Sequence, residues 1–424
     1  MIAIQKIKEL IKNKENLNEF IFVWYIFSFF IFLPISKFSI EIYRIVFIIN
    51  TAVIFIMSYI KTGKILLKKD IILLFIVIGI FIIDFFFRKN EYTIQIYYEF
   101  IKRCYIPCYF FNRTTSIKSI MKYLSNISKI IILFYIWDPL LNYYFTGIYM
   151  GYGMSIMLPA FISIYTYCFI KKDKWDIIFL IFSFLAIFIF GNRTCLLAIL
   201  FMIALSSPLL LRDFKRIIYN IRKKQHKKTN KYCVILSCFI IVVVFAYFCP
   251  APENTCIANF KKWINNISTG NGSFLKSYSL GKYEQMMEGN YSNLISKRTI
   301  IYPKAIELIK NDFYNNLDKL ILGNGTGYFM SINEGVYSHS ILFDLIIEYG
   351  IIGIGLFGSI FIYCLIKWIK KAKKENFLFG IFLLCLAFPK LLLSSYFQKE
   401  TYLWLFLIWV ISQYANNNLK RLEP

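Results

Sequence analysis

Apolar runs of about 17 to 25 residues, separated by short polar connections, recur along nearly the whole chain. That is the length an α-helix needs to cross a hydrocarbon core with every backbone amide bonded inside its own segment. The pattern predicts about twelve spans, near residues 19–36, 40–60, 70–88, 93–111, 124–146, 152–170, 175–191, 194–211, 232–249, 340–366, 376–396 and 400–415. The fourth is the weakest, because Glu99, Lys102 and Arg103 fall inside it. One long polar stretch, residues 250–338, interrupts the series. The expectation is therefore a single all-α, polytopic membrane domain over residues 1–424, with a large extracytoplasmic loop between spans nine and ten.

Composition strengthens that reading. Hydrophobic residues make up 58% of the 424, aromatic residues 19%, and mean hydropathy is +0.57, whereas soluble domains are about 45–50% apolar. The net charge of +25 would point to nucleic acid in a soluble protein. Here most of the excess lies in alternate connections: Lys61 to Lys69, Lys171 to Lys174, Arg212 to Lys231 and Lys367 to Lys374. These connections share a side with both termini, which the positive-inside rule makes cytoplasmic, so the charge is a topology signal and no nucleic-acid partner is expected. The same loops suit anionic lipid headgroups. Met1 to Phe20 is a charged mixture without a small-residue cleavage site, so no removable signal peptide is expected.

Cys104, Cys108, Cys168, Cys195, Cys364 and Cys385 fall within predicted spans and read as small packing residues. Cys249 and Cys256 sit near the outer surface, where a bridge between them is open. The insertion begins with Pro250-Ala-Pro252 and a turn-rich Ser268–Ser273. Ile301, Ala305 and Ile309 then recur at helical spacing, so that stretch should lie along the membrane or on the bundle. Pro303 suits a first helical turn, which puts Arg298 just before the helix or at an irregular entry. Leu322-Gly-Asn-Gly-Thr-Gly327 lacks the lysine of a phosphate loop and reads either as a flexible turn or as a close backbone approach to a ligand.

Three external residues carry candidate chemistry. Arg193 occupies the tight turn Gly191-Asn-Arg-Thr194, Arg298 precedes the amphipathic stretch, and His339 closes the insertion. Taken singly, Arg193 also suits a snorkelling anchor, Arg298 a solvated charge and His339 a polar cap. Taken together, they suit group transfer from a diphosphate donor. Guanidinium matches the oxygens of a leaving diphosphate by bidentate hydrogen bonding, and imidazole, with an ordinary pKa of about 6.5, takes the proton of an acceptor hydroxyl. Metal assistance is not expected, since the outer face offers one histidine and no clustered carboxylates; Glu284 and Glu288 read as a solvated face. No cofactor is implied, and no Gly-x-Ser-x-Gly elbow marks a serine hydrolase.

At this point the chain resembles the O-antigen polymerase and ligase superfamily of bacterial membrane glycosyltransferases. The resemblance rests on Gly191–Thr194, on Arg298 followed by Tyr302, Ala305 and Ile306, on Gly323-Asn-Gly325, and most on the His-led segment Ser338–Gly353 ending in Glu-Tyr-Gly-Ile-Ile-Gly. It covers the C-terminal half by motif and the N-terminal half by topology. It implies a GT-C-like architecture in the bacterial inner membrane, with the active site on the periplasmic side. The implied substrate is an oligosaccharide on undecaprenyl diphosphate, transferred without metal and with inversion. The arginines Arg193 and Arg298 would hold the diphosphate and His339 would act as base. Ser340 after the histidine resembles the polymerases more than the ligases, and a chain-length regulator protein is an implied partner.

Other polar residues fall within spans. Glu41 and Arg44 are spaced to pair with each other. Asp84, Asp138 and Lys390, near predicted outer ends, are candidates to line an acceptor groove. Gly350, Gly353, Gly355 and Gly358 suggest close packing of span ten. A transporter of lipid-linked sugars is the competing class, but it calls for charges along a path open to both sides.

Overall fold

A computed structural model describes residues 14–138, 146, 149–167, 174–190, 195, 198–203, 298–372, 374–393 and 396–419. Among these the chain is all-helical, 84% helix with no strand. Arg193, Cys249, Cys256, Glu284, Glu288, most of span eight and all of span nine lie outside the described residues. The chain divides into two compact units, residues 1–127 with 295–424, and residues 128–294.

In the first unit, α1 (Leu17–Ile31) opens the bundle. It stops short of the predicted span 19–36 because Pro34 follows, and the residue before a proline is pushed out of helical geometry. Ser39 then caps α2 (Ile40–Thr62) by accepting the Ile42 N–H at 3.2 Å, and Gly63, in the left-handed region, ends it. α3 (Lys68–Phe87) returns, followed by α4 (Thr93–Phe100), a π-helical turn (Ile101–Tyr105) and α5 (Ile106–Phe111). α6 (Ile117–Tyr135) starts seven residues before the predicted span 124–146. The buried Glu19 carboxylate accepts the Thr115 and Ser116 N–H groups at 2.8 and 3.0 Å, placing an anion at the α6 N-terminus.

The C-terminal part of this unit begins with α9 (Arg298–Asn315), α10 (Leu317–Leu322) and α11 (Tyr328–Ile332), and continues with α12 (Ile341–Lys371), α13 (Lys374–Leu393) and α14 (Thr401–Leu419). Pro303 sits inside α9, contrary to the expected entry position, and Arg298 is its first residue. So near the start of a helix the missing proline N–H forfeits a single hydrogen bond. The second unit holds α7 (Tyr149–Tyr165) packed on α8 (Lys174–Phe190), with Lys129 Nζ 2.9 Å from the buried Asp176.

Leu17–Phe38, Ile40–Thr62 and Ile341–Lys371 are each long and apolar enough to cross a membrane. Only 11% of the apolar window is buried in each of the last two. Ile45, Ile48, Ile56, Leu356 and Ile362 project outward from α2 and α12, each more than half exposed. Apolar surface on this scale needs an apolar surrounding.

Candidate functional site

The site is built around a break in α12. Gly350, at φ 65° and ψ −166°, leaves helical geometry and divides the element into two segments. The break turns the Ile347 and Glu348 carbonyls toward new donors, and the glycine-rich turn supplies them: the Asn324 and Gly325 N–H groups donate at 2.9 Å each. Contact is backbone to backbone. A Cβ on Gly323 would lie 2.2 Å from the Glu348 carbonyl oxygen, and one on Gly350 would lie 2.3 Å from that of Ile321. So the turn is not a free loop; it is the wedge that fits the break. Among the described residues nothing lies within 4 Å of where a Cβ on Gly355 or Gly358 would stand, so the close packing expected of them is not seen there.

The same turn is fastened on its other side to the connection between α3 and α4. Arg88 Nη1 donates to the Leu322 carbonyl at 2.7 Å, and Asn90 Nδ2 to the Thr326 carbonyl at 2.8 Å. Thr326 is wholly buried and stands in a line of hydroxyls: Gln398 Nε2 donates to the Tyr349 hydroxyl, that hydroxyl meets Thr326 Oγ1, and Thr326 Oγ1 donates to Asp84 Oδ2. Asp84 also accepts from Tyr97 at 2.9 Å and pairs with Arg88 at 2.7 Å. The expected groove residue is therefore an internal strut with no exposed surface.

His339 lies at the lip of this framework, two residues before α12. It holds φ 59°, a left-handed backbone that few non-glycine residues adopt, and such geometry persists only where its surroundings enforce it. The enforcement comes from both neighbours. Ser338 is fully buried and donates to Asp344 Oδ1 at 2.5 Å, while the Ser340 N–H returns to Ser338 Oγ at 3.2 Å. The imidazole itself stays partly exposed and lies 4.1 Å, centroid to centroid, from the Tyr337 ring. Beneath it, Asp344 and Glu348 occupy successive turns of one helix face, both fully buried, and Tyr396 donates to Glu348 Oε2. Asp344 Oδ2 and Glu348 Oε1 have no hydrogen-bond partner among the described residues.

In the sequence these two carboxylates lie within the His-led segment Ser338–Gly353, with no role assigned to either. The signal was present, since two acids four residues apart in an apolar run are expensive unless they do something. Thr326, Tyr349, Tyr396 and Gln398 carried no signal, because the fold alone brings them together.

The remaining expected site residues are dispersed. Lys390 is paired with Glu400 at 3.0 and 3.2 Å and covers the Tyr402 ring, so its charge is already matched. Asp138, in the second unit, accepts from Thr146 N at 3.1 Å and from its hydroxyl. Glu41 and Arg44 form no ion pair with each other among the described residues. The Arg298 backbone lies one helical turn before Tyr302, whose ring meets Phe343 at 5.2 Å, so α9 brings it toward the start of α12. Of the three groups expected to converge, His339 is the one whose side chain is described. No protein-family model matches the chain, and no curated protein matches it.

Proposed function

We propose that this chain is a membrane glycosyltransferase that polymerises surface polysaccharide. It would move a growing glycan from undecaprenyl diphosphate to the next lipid-linked repeat unit. The observation that carries the reading is His339, a partly exposed residue just before the short first segment of α12, held in a left-handed backbone by the buried Ser338–Asp344 hydrogen bond. A base on a rigid support keeps its geometry through the reaction, which is what proton transfer from an acceptor hydroxyl requires. The sugar hydroxyl gives its proton to His339 as its oxygen attacks the donor's anomeric carbon from the face opposite the leaving group. The carbon–oxygen bond to the diphosphate breaks, the configuration inverts, and undecaprenyl diphosphate departs. Arg298 and Arg193 are assigned to the diphosphate oxygens, whose negative charge grows as the bond breaks.

The proposal includes about twelve spans in a GT-C-like arrangement, the bacterial inner membrane, cytoplasmic termini and a periplasmic site. A chain-length regulator is the proposed protein partner. The test is incubation of the purified protein with an undecaprenyl diphosphate oligosaccharide. Lipid-linked ladders are expected, and His339→Ala should slow their growth by about a hundredfold. Transfer only to a lipid A core would make the protein a ligase, and ladders of normal length from His339→Ala would reject the base.

A further inference from the structure

A second concentration of charge lies where α4 enters its π-helical turn. Lys102 and Arg103 sit within that turn, and the carbonyls displaced by the wide winding are met by side chains from distant elements. The Tyr25 hydroxyl donates to the Lys102 carbonyl at 2.7 Å, and Thr401 Oγ1 to that of Arg103 at 2.6 Å. A π turn inside an α-helix is a costly irregularity that recurs at functional sites, and here both ends of the chain contribute to holding it.

The turn brings both cations to one carboxylate. Arg103 Nε lies 2.5 Å from Glu99 Oε2, and Lys102 Nζ lies 4.0 Å from Glu99 Oε1. Lys399 also acts on Glu99, so three cations share this one anion, and Arg44 adds positive charge that Lys102 feels. Burial lowers the Lys399 ammonium below the ordinary lysine range; Glu99 opposes the shift and Arg103 adds to it. Lys102 Nζ stands 5.1 to 5.9 Å from the ring centroids of Phe29, Tyr43, Phe47 and Tyr98. The Arg103 side chain is 49% exposed, and its terminal nitrogens have no hydrogen-bond partner among the described residues. Around the cluster Ile42, Ile45, Ile94 and Ile101 are exposed, so it opens onto an apolar surface.

Excess positive charge at an apolar surface calls for a ligand with an anionic head and an apolar tail. We propose that Lys102, Arg103 and Lys399, with Arg44 at the edge, bind the phosphate groups of a membrane lipid. Lys399 Nζ lies 6.0 Å from the Tyr396 ring centroid, Tyr396 lies 6.1 Å from Tyr337, and Tyr337 lies 4.1 Å from His339. A head group held here is presented a few side chains from the imidazole. On the transferase reading, on which this last step rests, the cluster holds one of the two lipid diphosphates that polymerisation brings together.

The test is native mass spectrometry of the purified full chain in detergent, titrated separately with undecaprenyl diphosphate, dioleoylphosphatidylglycerol, dioleoylphosphatidylcholine and inorganic pyrophosphate. Undecaprenyl diphosphate is expected to bind at least tenfold more weakly to the Arg103→Gln/Lys399→Gln double variant. Glu99→Gln, which removes the shared anion, is expected to bind it more tightly. A purely structural role would move both in the same direction, and Glu99→Gln keeps the test open should the double variant fail to fold. Equal binding of phosphatidylglycerol still supports a lipid-phosphate site and makes it general for anionic lipids. Unchanged affinity in a folded double variant, or inorganic pyrophosphate binding as tightly as the lipid, overturns the proposal. His339→Ala is expected to keep full lipid binding, so failure of the transferase reading leaves this site standing.

Discussion

At the scale of single residues, the glycines separate into those that shape the site and those that do not. Gly350 combines φ 65° with a backbone contact at the position of its missing Cβ, so Gly350→Ala must both strain the chain and push the wedge away. The conformation alone is worth about 1–3 kcal/mol, and displacement of the Asn324 and Gly325 hydrogen bonds adds to it. Gly355, in helical geometry with no described residue within 4 Å of where its Cβ would stand, should behave in the opposite way, with Gly355→Ala stabilising by about 0.5–1 kcal/mol. Thermal unfolding of both variants in one detergent checks the contrast, and equal shifts would show that the break is not held by close contact. The sequence draws attention to His339 because histidine is rare in this chain and this one closes the insertion. Its left-handed backbone is not legible there, since backbone sign at a non-glycine position depends on the Ser338–Asp344 bond, a tertiary fact.

At the scale of elements, apolar run length located the helices well wherever nothing inside the run interfered. The predicted 40–60 and 70–88 correspond to α2 and α3, and 93–111 to the sequence α4, π turn and α5. The expected buried face Ile301, Ala305 and Ile309 packs against Phe329 and Ile347. What the pattern misses are interruptions whose cause is tertiary: the break at Gly350, the π turn at Ile101, and the early start of α6 under the Glu19 carboxylate. The pattern also misses the lock between α3 and the end of α5. Arg113 and Asp70 form a fully buried pair at 2.8 Å, and the guanidinium further donates to the Tyr109 and Ile65 carbonyls at 2.6 and 2.7 Å. Removing one partner of such a pair strands the other, so Arg113→Ala is expected to destabilise by about 3–5 kcal/mol. Arg113→Ala with Asp70→Asn should recover part of that loss, because the amide has no charge left unpaired. Unfolding midpoints of the single and double variants measure the recovery.

At the scale of the whole molecule, the described residues show a polar interior at one end and apolar faces turned outward. Composition foresaw the outward faces but not the interior, because a run of apolar letters does not say which side meets lipid. α12 joins the two scales. Its first turns carry Asp344 and Glu348 into the buried network, where Ser338 just before the helix meets Asp344, while Leu356, 63% exposed, projects outward farther along. If that outward face lies in hydrocarbon, Leu356→Arg costs about 2.5–3.5 kcal/mol on insertion scales and should lower the fraction of protein resistant to alkaline extraction from membranes. In a water-exposed helix the same change would be close to neutral. Glu99, Lys102 and Arg103 show why sequence hydropathy alone underrates such a chain: they weaken the fourth apolar run, yet their cost is offset by ion pairing, four aromatic rings and side chains from α1 and α14. An arginine at position 356 has no such company. Its failure to disturb membrane integration would place the α12 face in water and remove the membrane frame on which the lipid-linked substrate depends.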